Sequence, residues 1–145
     1  MPTTPLGFLL IVHFAGLCAF ALPLGWALQL RLRARDLTGR LGAATSLNNA
    51  RTLIAVSMGI LIFSGLALNY VTYGGFRWEP SLKMALEVVL WGAWGLSEIV
   101  ILPKLEAATT KAEDGAEWHR AETRAWTSIV LILLLATGVA ALSIF

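Results

Sequence analysis

Apolar residues along the chain fall into four long runs, roughly Leu6–Leu30, Thr52–Val71, Leu82–Leu102 and Ala125–Phe145, and most of the charge lies between them. An α-helix needs about 20 residues to cross a hydrocarbon core of about 30 Å, and each run is at least that long. In lipid every backbone donor and acceptor must be satisfied within the segment, so runs of this length predict helices. The pattern predicts an all-α integral membrane protein, one four-helix bundle over residues 1–145. Pro23 is expected to kink the first span and free the carbonyl of Ala19, and Pro103 to mark the end of the third.

Composition agrees with lipid as the solvent. Charged residues are 14% and hydrophobic residues 57% of the chain, with a mean hydropathy of +0.73; a soluble domain carries about a quarter charged residues. The net charge of +2 implies no nucleic-acid partner, because the basic residues concentrate in one short loop. Cys18 is the only cysteine, so neither a disulfide framework nor a cysteine metal cluster can form within the chain. The N-terminal tail has no Lys or Arg, and the first run exceeds the apolar core of a signal peptide; it reads as a retained span.

Orientation follows from loop charge. The first loop carries Arg31, Arg33, Arg35, Arg40 and Arg51 against Asp36, whereas the second holds only Arg77, Glu79 and the flanking Lys83. The positive-inside bias places the first loop in the cytoplasm and both termini outside, as in a multi-pass protein of a bacterial-type inner (plasma) membrane. The third connection, Lys104–Arg124, is mixed in sign and neutral on this point. Its helix formers on either side of Gly115 predict short extensions of spans three and four. Trp78, Trp118, Trp126, Tyr70 and Tyr73 fall at expected interfaces, where amphipathic rings sit. Ala55-x-x-x-Gly59 offers small residues for helix packing, and Met58 and Asn69 share a face that reads as packing.

Spans two and four echo each other: Arg51 precedes Gly65, and Arg124 precedes Gly138, by the same interval. This is either a tandem duplication of a helical hairpin or the recurrence of basic anchors and small residues. Spans one and three do not align at that offset.

Charge inside a span costs roughly 2.5–3.5 kcal/mol at its centre, so His13, Glu87 and Glu98 each need a partner or a purpose. His13 lies on the order of 10 Å into span one, at 1.5 Å per residue, and Glu87 is at similar depth in span three. Glu98 is level with Arg51 and Arg124, and an ion pair with one of them explains it. Lys83, Glu87, Trp91, Trp94 and Glu98 share one stripe of span three. That stripe faces either span one or a bound cofactor, or else consists of a Lys83–Glu87 pair and core tryptophans. His13 is either a neutral imidazole bonded to a neighbouring helix or a ligand, to a haem iron or to copper with Met84 or Met58. No second histidine lies within a span, since His119 is in the third connection, so a bis-histidine haem within one chain is excluded. No nucleophile elbow, phosphate loop or paired-histidine zinc motif is present.

Three segments together resemble the small four-helix membrane proteins related to HemJ-type protoporphyrinogen oxidase and the CopD-like copper proteins. They are His13-Phe14-Ala15-Gly16-Leu17 in span one, Trp78 followed by Lys83 at the mouth of span three, and Arg120-Ala121-Glu122 before span four. The resemblance implies that His13 is the haem-linked histidine and Lys83 its essential basic partner. The aromatic and Leu-Pro-Arg signature that follows the histidine in the HemJ type is absent; this chain reads Cys18-Ala19-Phe20-Ala21-Leu22-Pro23.

Three functions are therefore expected alternatives. One is a haem-associated redox or haem-biosynthesis-like protein that binds haem b, with His13 as axial ligand, Trp91 and Trp94 beside the cofactor, and Lys83 and Glu87 as catalytic groups. Another handles copper through His13 and Met84. The third is a non-catalytic accessory subunit, whose partners are the lipid bilayer and either a larger membrane complex or a second copy of the chain.

Overall fold

The computed structural model describes residues 4–76, 82–111 and 115–144; Arg77, Trp78, Glu79 and Glu113 lie outside them. Helix α1 spans Pro5–Arg33. The Thr4 hydroxyl accepts from the Gly7 amide at 3.3 Å, and Pro5 occupies the first turn, where no amide hydrogen is needed. The helix runs without interruption through Pro23.

Helix α2 spans Leu37–Tyr73, or about 55 Å at 1.5 Å per residue, well beyond the expected second span. The Asp36 carboxylate caps it by accepting from the Gly39 amide at 2.9 Å. This cap turns most of the expected first loop into helix, and only residues 34–36 connect α1 to α2. Gly74, at φ 67°, closes α2 in the left-handed region that glycine enters without strain.

Span three consists of α3 (Leu82–Leu96), a π-helical turn (Ser97–Ile101) and α4 (Leu102–Lys111). Pro103 does not end it. Proline lacks an amide hydrogen and its ring crowds the carbonyl four residues back, that of Ile99. The π turn widens the helix just upstream, with the Leu102 amide donating to the Ser97 carbonyl, so the helix continues. Helix α5 spans Ala116–Ile144. The extensions expected on both sides of Gly115 are present as α4 and the start of α5.

All four spans are long and apolar enough to cross a membrane. They pack as two hairpins, α1 with α2 and span three with α5, joined by contacts of α1 with α5 and of α2 with α4. Phe20 and Trp94 meet edge to face at 5.7 Å across the bundle. The outward faces carry Phe8, Phe14, Leu22, Phe63, Ile99 and Leu134, an apolar exterior suited to lipid. Trp118 and Trp126, expected at the interfaces, are instead buried on the inner face of α5 with Ala125, Ile129 and Ile132; Tyr70 and Tyr73 are exposed.

Burial is uneven along the bundle axis. It concentrates in the half that holds the two short connections, through Phe20, Leu24, Leu47, Ile54, Leu102, Leu105 and Ile129. Towards the end that holds both termini, the last buried residues among those described are Gly16, Ser64, Leu90 and Ala136. The tightest helix approach lies at this boundary: a Cβ on Gly16 would sit 3.1 Å from Cγ2 of Ile60. Gly59 has nothing within 4 Å of such an atom, so Ala55-x-x-x-Gly59 is not the packing motif it resembles; α2 turns a different face to α1.

Two ionic clasps close the better-packed half. Glu122 of α5 is 2% exposed. Nε of Arg31, at the end of α1, lies 2.5 Å from one carboxylate oxygen. Arg40 of α2 reaches the same carboxylate through Nε, at 3.0 and 3.1 Å, and through its terminal nitrogen, which also meets Nδ1 of His119 at 3.0 Å. In the second clasp Arg51 of α2 donates to Glu98 at 2.9 Å and to Glu106 at 2.7 Å. Removing one partner of a buried ion pair leaves the others unpaired, at about 3–5 kcal/mol. Because Arg31 and Arg40 still reach water, Glu122→Gln should cost about 3 kcal/mol, the low end of that range. Glu106 is well exposed, so Glu106→Gln should cost at most about 1 kcal/mol. Thermal unfolding in detergent ranks the two, and equal losses would contradict the assignment of Glu122 as the main tie.

Candidate functional site

In the looser half, His13 projects from α1 against α2. Its Nδ1 lies 2.8 Å from the Ser64 hydroxyl, and its Cε1 lies over Gly65. The Ser64 hydroxyl has one hydrogen, which it donates to the Ile60 carbonyl at 2.6 Å, the usual back-bond of serine within a helix. Its oxygen must therefore accept from His13, so Nδ1 carries a proton. Charge within a span is costly, which leaves the ring one proton and Nε2 a bare lone pair. A metal-ligating histidine is held in this way, its other ring nitrogen donating to a fixed acceptor.

The other expected site residues lie on α2 and on span three, whose first part, α3, packs mainly on α5. Lys83 and Glu87, one turn apart on α3, lie 3.9 Å apart, and the Lys83 ammonium is near enough to act electrostatically on His13. Trp91 is half-buried, and Trp94 is a core residue packed on Phe20. Met84 is half-buried, one residue after Lys83. Met58 is buried on α2. Glu98 belongs to the Arg51 clasp, as its depth implied, and is not part of the His13 group. The stripe on span three is thus divided: Trp94 serves the core, Glu98 the Arg51 clasp, and Lys83 pairs with Glu87 while acting electrostatically on His13. Among the described residues, no three of His, Cys, Asp and Glu stand together as a metal cluster.

The echo between spans two and four extends to these contacts. Gly65 packs on His13, and Gly138 packs on Leu86; both partners are displaced by 73 positions (138 − 65 and 86 − 13). Ser64 bonds back to Ile60 and Thr137 to Leu133, at that displacement again. At these positions the second hairpin has leucine where the first has histidine.

Ser64 escapes a reading of the sequence, because a serine in an apolar helix is usually bonded to its own backbone. The signal that marks it is its depth, which matches that of His13.

Comparison with protein-family models, with curated proteins and with solved structures finds no match.

Since Leu86 fills the equivalent place, His13→Leu should fold and melt within about 1 kcal/mol of the parent. A loss well beyond that would make the imidazole a structural group.

Proposed function

We propose that the protein is a haem-associated redox protein of a bacterial-type plasma membrane, with both termini outside and the clasped end in the cytoplasm. The observation that carries this reading is the imidazole of His13, oriented by Ser64 and bare at Nε2. The arginines Arg31, Arg33, Arg35, Arg40 and Arg51 lie at or near the clasped end, and their bias supports the orientation. The resemblance to the HemJ-type and CopD-like proteins points the same way.

The donor set fits a haem with one ligand from the chain. His13 Nε2 would hold the iron, and Lys83, half-exposed on the neighbouring span, would meet a propionate. Glu87, beside it, would hold or release a proton. A haem bound here would supply one-electron chemistry. The chain's own residues orient the ligand through Ser64 and balance charge through Lys83 and Glu87. Met84, half-buried one residue after Lys83, is the thioether nearest in sequence to this group.

A visible spectrum of protein purified from haem-replete cells tests this directly. A Soret band is expected that His13→Leu abolishes and that Ser64→Ala shifts or weakens, with both variants folded. A colourless parent, or a band that survives His13→Leu, contradicts it. Cu(I) retained by the colourless protein and lost in Met84→Leu would replace haem with copper.

A further inference from the structure

A second feature lies at the clasped end, on the opposite side of the molecule's length from His13. Between span three and α5 opens a cleft of about 360 Å³, lined by Val100, Ile101, Lys104, Arg120, Arg124 and Glu117, with two alanines completing the wall. Its volume is within the range of about 300–1,000 Å³ typical of small-ligand sites.

The charges in this cleft do not cancel. Glu117 is paired with Lys111 at 3.3 Å. Lys104 and Arg124 form no ion pair or side-chain hydrogen bond with the described residues, and Arg120 only donates to the Ala116 carbonyl at 3.2 Å. The arginines of the two clasps, by contrast, are each in an ion pair with Glu122, Glu98 or Glu106. Among the described residues, three cations thus face one cleft whose single carboxylate, Glu117, is already paired with Lys111.

The cleft also has a defined position relative to lipid. Lys104 follows the apolar run of span three and Arg124 precedes that of span four, so the cations lie at the polar boundary. Val100 and Ile101 belong to the π turn, whose extra residue rotates the following helix by about 100°. That turn brings Lys104 and the two apolar residues to the same opening. Val100 is 40% exposed and the adjacent Ile99 77%, so the apolar wall continues into the face that meets acyl chains.

We propose that this cleft binds the phosphate of an anionic phospholipid, with Lys104, Arg120 and Arg124 around the headgroup and an acyl chain along Ile99 and Val100. Basic recesses between helices at the membrane boundary suit anionic headgroups, and an arginine fork matches phosphate oxygens. The continuous apolar wall favours a lipid over a soluble phosphate, which gains nothing from it.

The test uses the full chain in nanodiscs of phosphatidylcholine with and without phosphatidylglycerol, read by native mass spectrometry and thermal unfolding. The parent should retain phosphatidylglycerol selectively and melt higher in its presence. Replacing Lys104, Arg120 and Arg124 together by Gln should weaken retention on the order of a hundredfold, since each cation near the surface contributes about a factor of five to ten. Arg33→Gln with Arg35→Gln, at the same end but outside the cleft, should retain the lipid. Because the three cations support no ion pair, the triple variant should melt like the parent in pure phosphatidylcholine. Ala107→Trp, which fills the cleft without changing charge, should also lose the lipid and covers the case of a triple variant that does not fold. Equal retention by the triple variant and the Arg33/Arg35 control, or no preference for phosphatidylglycerol, overturns the proposal. Displacement of the lipid by millimolar inorganic phosphate overturns the assignment to lipid.

Discussion

The carboxylate of Glu122, buried and held by Arg31 and Arg40, is the constraint on which the rest of the architecture depends. In lipid there is no hydrophobic force between helices, because the tails outside are as apolar as the side chains inside. Association rests on close packing and on polar ties that have no better partner in the bilayer. Glu122 joins α1, α2 and α5 in one cluster, and the Arg51–Glu98–Glu106 clasp joins α2 to span three. All four spans are secured at one end.

The opposite half is thereby released from that task. Its packing thins beyond Gly16, Ser64, Leu90 and Ala136, and its polar residues are few. The imidazole there is aimed by Ser64, while Leu86 meets the corresponding glycine in the second hairpin. The clasps and the thinning of the core divide the molecule into a closely tied end and a more loosely packed one that holds His13. The π turn before Pro103 separates the two on span three: Lys83 and Glu87 precede it, the unpaired cation Lys104 follows it, and Glu98 within it faces the Arg51 clasp.

Much of the fold was legible from the four apolar runs, because spanning length and backbone satisfaction leave little choice. Depth alone paired Glu98 with a basic partner, and Arg51 is that partner. Other features were hidden for physical reasons. Arg31 and Arg40 read as loop charges that set orientation, yet the Asp36 cap carries Arg40 onto α2, where it turns towards α5. Trp118 and Trp126 read as interfacial rings because the sequence places them near charge, whereas the phase of α5 points them inward. Pro103 reads as a stop, and the π turn that lets the helix continue has no simple signature. The match in depth of His13 and Glu87 was visible, but the acceptor that fixes the imidazole was not, since it lies on a third helix.

The central claim, that the Glu122 cluster ties the hairpins together, is tested most directly by a double-mutant cycle. Arg40→Gln, Glu122→Gln and the double variant are unfolded in the same detergent and their stabilities compared. A coupling of about 1–3 kcal/mol is expected for groups in one buried ionic network. Losses that simply add, within about 0.5 kcal/mol, would show that the two residues do not act together and would contradict the account.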